Sequence, residues 1–314
     1  MPSASIVVPT HDRNDLLLQT LGSVVRQGDV DLEVIVVDDG STQEVAAAVA
    51  SLSDDRVRVV RNERAQGVAR ARNRGIREAR GEWVAFVDDD DLWAPNKLAS
   101  QLQAMALGGR RWAYTGAVNI AASGEVIGGA PPLPPEEVAA SLPRRNTIPG
   151  GGSNVVAART LLHEVGGFDP TLYNTEDWDM WIRMARAALP AWVPRPLLAY
   201  RVHATNASLV VSEIIAGART IEQRYGGQVD RGAVDRYLAE LCLRSGERLR
   251  AVRFFVGAAA RGQAKEVSSD LASIARRRLG QFSSGGARPR YPQWLAEGRA
   301  WVEDLDEKGR WPED

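Results

Sequence analysis

"WVAFVDDDDLW" occupies positions 83–93, and its reading decides the fold. Trp83-Val84-Ala85-Phe86-Val87 lacks the polar alternation of a half-exposed strand, so it fits a strand buried on both faces. Four carboxylates, Asp88 to Asp91, follow at once and repel one another unless something offsets their charge. Upstream the chain repeats one pattern. Ser5-Ile6-Val7-Val8 is an apolar run ended by Pro9, and Leu17, Leu21, Val24 and Val25 then recur at helical spacing. Val34 to Val37 is a second strand, 42–51 a helix, Val57 to Val60 a third strand, and Gly67 to Ala79 a third helix. The order βαβαβαβ predicts an open α/β sheet, mostly parallel, with helices on both faces.

Ligands of such sheets bind beyond the carboxyl ends of the strands. Three polar clusters lie there: Pro9-Thr10-His11-Asp12-Arg13, Asp38-Asp39-Gly40-Ser41 and Asp88 to Asp91. All are expected on one edge of the sheet.

The chain has 314 residues, enough for a main domain and an appendage. Its 39 basic and 40 acidic residues give a net charge of −1, which excludes a global electrostatic drive toward nucleic acid. Apolar runs stay far below the roughly 20 residues of a membrane-spanning helix, and the N-terminus lacks a signal-peptide pattern, so a cytoplasmic, at most membrane-peripheral, protein is expected. One cysteine, Cys242, and three histidines exclude a thiolate cluster or a histidine-rich zinc site. Any metal would have to be held mainly by oxygen, which favours Mn²⁺ or Mg²⁺.

Beyond position 105 the regularity fades. Trp112 to Thr115 and Val118 to Ile120 read as two strands, and 128–152, rich in proline and glycine, as a long loop. A helix starts at Thr175, a fair N-cap. From 207 to 280 the pattern is helical, and the last thirty-odd residues read as a polar tail wrapping the domain. The helical region carries Arg276-Arg277-Arg278, which could touch anionic headgroups, although a solvated face is the commoner use. It could equally form a homodimer interface.

Carboxylates at strand ends suit a divalent cation that also binds phosphate oxygens. Asp38-Asp39 offers acceptors for a base and a ribose. Gly67 opens a helix whose N-terminus favours anions, with Arg70, Arg72 and Arg74 in its first turns. Together these groups describe a pocket for a nucleoside diphosphate and its metal.

Five segments, Pro9-Thr10-x-x-Arg13, "VVDDGS" at 36–41, "GVARARNRGI" at 67–76, "GEWVAFVDDDD" at 81–91 and "TEDWDMWIRMA" at 175–185, resemble the family 2 glycosyltransferases of the GT-A fold. The resemblance covers roughly 3–206. It implies a GT-A domain over 1–206, with a donor half to about 105 and an acceptor half after it, followed by a helical region and polar tail over 207–314. It also implies metal-assisted, inverting transfer from a nucleotide-sugar, most simply a UDP-sugar, to a glycan, lipid-linked sugar, natural-product or peptide acceptor. By position, Pro9 and Thr10 would line the base pocket with Arg13 beside it, Asp39 would bond the base, and Asp88 and Asp89 would face the ribose and donor. Asp90 and His203 would hold the metal, and Asp177 of the Glu176-Asp177 pair would be the general base. Trp178 and the Gly150 to Asn154 segment, Gly152 included, are candidates for sugar or acceptor contact, although the spacing of Trp178 also suits core packing. The alanine- and arginine-rich composition hints at a bacterial source. Two other readings are a sugar-1-phosphate nucleotidyltransferase, whose glycine-rich signature is replaced here by P-T-H-D-R, and a non-catalytic binding protein of the same fold.

Overall fold

The computed structural model describes residues 2–28, 30–202, 211–278 and 291–308. Strands β1 (Ala4–Thr10), β2 (Leu32–Asp38), β3 (Val57–Arg61) and β4 (Trp83–Phe86) alternate with helices α1 (Asn14–Val24), α2 (Val45–Ala50) and α3 (Val68–Glu78). There follow β5 (Leu92–Trp93), α4 (Lys97–Gly108), β6 (Trp112–Ala121), β7 (Val126–Ala130), α5 (Pro135–Ser141), a 3₁₀ turn (Gly151–Asn154), β8 (Val156–Ala158), α6 (Arg159–Glu164), α7 (Glu176–Ala187) and β9 (Ala191–Val202). The remaining described elements are helical: α8 (Val211–Tyr225), α9 (Arg231–Arg244), α10 (Arg248–Ala258), α11 (Ala264–Arg278) and α12 (Pro292–Lys308).

The nine strands among the described residues form one sheet in the order β3-β2-β1-β4-β8-β6-β9-β5, with β7 paired to β6. The first four are mutually parallel, and antiparallel pairs enter through β8, β5 and β7. Side-chain alternation divides the core. Ile6, Val8, Val34 and Val36 pack with Leu17 and Leu21 of α1 and Val45 of α2 on one face. On the other, α3 sets Gly75 directly against Val7, and Phe86 meets Phe168 edge to face at 5.1 Å.

The expected elements of the first hundred residues all form, and three departures have local causes. Pro9 lies inside β1 rather than ending it; past Val7 the pairing to β4 has stopped, so the missing N–H costs no bond on that side. The long loop expected over 128–152 contains the end of β7, α5 and the 3₁₀ turn. The two strands expected between 112 and 120 are one, β6, which runs through Gly116.

Gly116 survives mid-strand because the C-terminal helix fills its missing side chain. A Cβ there would lie 2.1 Å from the Trp294 ring, whose Nε1 donates to the Ala117 carbonyl at 3.2 Å. Further along α12, Glu297 pairs with Arg195 at 2.6 Å, and Trp301 Nε1 donates to the Pro196 carbonyl at 2.6 Å. The expected polar tail is thus in part a helix of the main domain. We expect Trp294→Ala to cost about 3–5 kcal/mol, the range for emptying a buried aromatic site, and thermal denaturation of the full chain measures it.

The chain forms two compact units. One comprises the sheet domain through Val202, without Pro143–Arg145, together with α12 from Gln293 onward. The other holds Pro143–Arg145 and the helices α8 to α11. The boundary expected at 206/207 falls in 203–210, outside the described residues, and α12 returns to the first unit instead of staying with the helical region. In the second unit Val211, Ile214, Leu238, Leu241, the buried free Cys242 and Ala251 make one core, and Ala239, Phe255, Ala258 and Val267 another. No helix among the described residues is long and apolar enough to cross a membrane.

Candidate active site

The aspartate run is the turn that carries the chain from β4, at the middle of the sheet, to β5 on its edge; the Asp91 amide closes it on the Asp88 carbonyl at 3.2 Å. Its four carboxylates do four different things. Asp91 is fully buried and accepts from the Arg201 amide at 2.8 Å and from the Ser153 hydroxyl. Burial, with the charges of Asp90 and Asp88, pushes its carboxyl well above the usual range. Asp89 accepts from Thr10 Oγ1 at 2.7 Å and from Arg13 at 3.3 Å, and burial beside Asp90 raises it to about 6. Asp90 takes a 3.0 Å bond from the same Arg13 nitrogen. Asp88 is more open than Asp89 or Asp90, its side chain 29% exposed, and faces Arg72.

The repulsion is therefore relieved in part by protein cations, Arg13 at Asp89 and Asp90 and Arg72 at Asp88. Arg13 bonds Asp89 and Asp90, and Thr10 bonds Asp89. Arg201, which carried no expectation from sequence, is buried and donates to the Asp90 carbonyl, the Ala122 carbonyl and Gln19. Its place in "YRVH", two residues before His203, was the available signal.

Asp39 closes β2 onto α3. Its Oδ2 accepts the amides of Gln66 at 2.9 Å and Gly67 at 2.7 Å, and Oδ1 accepts Asn62 Nδ2 at 2.7 Å. Those bonds fix the loop that opens α3 and leave one lone pair on Oδ1 for a ligand. Asp38 is committed to the Ser41 amide and Arg61. Asp12 staples the first loop to the second through Thr42 and Gln43. Arg74 holds Asn62 and the Arg61 carbonyl, whereas Arg70 is exposed in the first turn of α3. Pro9 is buried within β1.

One guanidinium joins the two halves of the site. Buried Arg72 donates to Asp88 Oδ1 at 2.5 Å and to Glu176 Oε1 at 2.7 Å, and it stacks over Phe168 at 5.3 Å. Burial would lower its pKa, but the charges of Asp88 and Glu176 outweigh burial and raise it. Glu176, expected beside Asp177 in the catalytic pair, is buried and turned onto Arg72. Asp177 is partly exposed and accepts from Asn146 Nδ2 at 3.1 Å and its own following amide at 2.6 Å. Crowding by protein atoms, then the Glu176 charge, push it up to about 7, against the attraction of Arg72.

The glycine turn serves this machinery. A Cβ on Gly152 would sit 2.4 Å from Arg72 Nη2, so its close approach is to Arg72 and not to an acceptor. Ser153, next in the turn, takes the Asp88 amide at 3.0 Å and donates to Asp91. Trp178 is also not an acceptor platform: it is 5% exposed, with its indole N–H spent on the Leu142 carbonyl at 2.6 Å. Thr175 sits at the N-cap of α7 but makes no capping bond; among the described residues its buried hydroxyl has no partner, nor have Glu176 Oε2 and Arg72 Nε. His203 lies outside the described residues.

Asp88 and Asp90 are hard oxygen donors in one turn, which fits a divalent cation that completes its shell with phosphate oxygens and water. Among the described residues no three His, Cys, Asp or Glu side chains converge as a protein-only cage.

The fold and site define an open-sheet α/β protein with carboxylate-rich strand ends. Residues 5–128 match the family model described as glycosyl transferase family 2. The Escherichia coli UDP-Glc:alpha-D-GlcNAc-diphosphoundecaprenol beta-1,3-glucosyltransferase WfgD is 29% identical over 182 residues, covering 58% of this chain and 69% of that one. The succinoglycan biosynthesis protein ExoO of Rhizobium meliloti is 37% identical over 103 residues, 33% of this chain and 30% of its own length. Among solved structures, S. aureus TarS 1-349 in complex with UDP-GlcNAc superposes with a TM-score of 0.60 at 16% identity, covering 90% of this chain and 93% of that one. The mannosyltransferase PcManGT from Pyrobaculum calidifontis, in complex with GDP-Man and Mn2+, gives 0.52 at 19% identity over 100% and 88%. Over residues 5–128 the chain is thus similar to the family 2 glycosyltransferases, and it has the GT-A fold.

Proposed function

We propose that the protein transfers a sugar from a UDP-sugar to an acceptor hydroxyl with inversion at the anomeric carbon, Asp177 acting as general base. The observation that carries this reading is the Asp88–Arg72–Glu176 bridge, which ties a partly exposed, weakly acidic Asp177 to the donor end of the sheet. Asp177 takes the proton of the acceptor hydroxyl as that oxygen bonds to the anomeric carbon. The bond from that carbon to the diphosphate breaks, and its electron pair leaves with UDP. Asp39 bonds the base through its remaining lone pair, and the first-turn amides of α3 with Arg70 favour the anionic diphosphate. Asp88 and Asp90 would hold Mn²⁺ or Mg²⁺, which supplies positive charge against the leaving diphosphate.

The UDP choice is supported by the donor that WfgD is named for and by the ligand of TarS. A glycan hydroxyl as acceptor is supported by the sugar-diphosphate lipid in the name of WfgD. The test is UDP release from a panel of UDP-sugars with Mn²⁺ or Mg²⁺. Release that needs the metal and falls at least about a hundredfold in Asp90→Ala is the expected result. Metal-independent release would sink the metal role, and absence of UDP binding by calorimetry would sink the donor class.

A further inference from the structure

The helical unit holds a cleft of about 360 Å³ between α8, α9 and α10. Its charged lining is unbalanced, with four arginines against two carboxylates. Arg231 forks onto Glu222 through two bonds, at 3.2 and 2.5 Å, and Arg261 pairs with Asp235 at 2.7 Å. That leaves Arg219 on α8 and Arg253 on α10, neither of which has a hydrogen-bond or ion-pair partner among the described residues. Beside them Ile215, Val234, Leu238 and Phe254 supply an apolar wall.

We propose that this cleft binds an amphiphilic phosphate ester, its phosphate held by Arg219 and Arg253 and its hydrocarbon against the apolar wall. Two uncommitted guanidiniums match a phosphate monoester of about −1.5 to −2 charge better than a carboxylate of −1. Their planar forks also suit phosphate oxygens in bidentate fashion. The hydrocarbon part rests on a second observation. Along α10, Leu249, Val252 and Val256 face outward, 89%, 59% and 64% exposed, although Ala251, Phe255 and Ala258 already supply the helix's buried face. Leu249 and Val256 are the i−4 and i+3 neighbours of Arg253, so apolar surface flanks the proposed phosphate site on the same helix. A ligand with a tail longer than the cleft covers that stripe; a bare anion leaves it in water. Every residue of this site is in the helical unit, so it stands apart from the sugar-transfer reading.

The test is calorimetric titration of the full chain with monomeric farnesyl phosphate, with UDP present to occupy the donor site, and with farnesol and inorganic phosphate as separate arms. Saturable binding of farnesyl phosphate is expected, at least about tenfold tighter than either partial ligand. The double variant Arg219→Ala/Arg253→Ala should weaken it by about tenfold or more, and the double Lys variant should recover part of the loss. Both arginines are exposed and unpartnered, so the variants should melt as the parent does. Equal binding of farnesol would reduce the cleft to an apolar hole, and equal binding of inorganic phosphate to a bare anion site; either overturns the proposal. So would an unchanged double variant, or binding to phosphatidylglycerol vesicles without binding of monomeric farnesyl phosphate.

Discussion

Asp177→Asn is expected to lower the kcat of sugar transfer by about 10²–10⁴, the usual contribution of a positioned general base, with UDP-sugar affinity unchanged. The amide keeps the shape of the carboxylate and its bond from the Trp178 amide, but it cannot take a proton. The pH profile adds a second readout. Asp177 is held near 7, above the ordinary value of 3.8, because crowding and the Glu176 charge disfavour its anion. A base works only when ionised, so kcat/KM should rise as pH increases through about 7 and level off above it. The asparagine variant should lose that acid limb. Full activity in Asp177→Asn, or an unchanged limb, would assign the proton to another group.

Arg72→Met should destabilise the sheet domain by about 3–5 kcal/mol, the cost of leaving a buried ionic partner uncompensated. Here Glu176 is left buried without its cation, and Asp88 loses its counter-charge on the side of the aspartate run. Chemical denaturation of the full chain measures the loss, and UDP binding should weaken with it. Gly152→Ala should move the same way without touching the charge, because its methyl would sit where the Arg72 guanidinium now lies, 2.4 Å from Nη2. Adding Glu176→Gln to Arg72→Met should return part of the stability, since it removes the orphaned charge. A double variant no more stable than the single one would mean that the loss comes from packing against Phe168 instead.

Much of the donor half was legible in the sequence. Four strands and the helices between them follow from local periodicity, and the rule that open α/β sheets bind ligands beyond their strand ends put Thr10, Asp39 and the aspartate run on one edge. The parallel order β3-β2-β1-β4 has those residues where the pattern predicts. Charge pattern alone also marked Asp88 to Asp91 as needing compensation. It did not reveal that Arg13 and Arg201 supply part of it, because an arginine's partner depends on which way a long side chain turns once its backbone is placed.

The sequence by itself determined the class of fold, the edge on which the site lies and the residue types that crowd there, since each of these follows from short-range periodicity and composition. Only the tertiary structure decided the roles. Arg72 and Glu176 are 104 residues apart, and Trp294 meets Ala117 across 177. Burial is what separates otherwise identical aspartates: Asp91 is locked inside against Arg201 and Ser153, while Asp88 stays open beside Arg72. Likewise the sequence offered Trp178 and Gly152 for sugar or acceptor contact and Glu176 beside the catalytic Asp177, and in the fold Trp178 and Glu176 are buried and Gly152 abuts Arg72. Burial and long-range pairing are properties of the folded core, and no local window of the chain contains them.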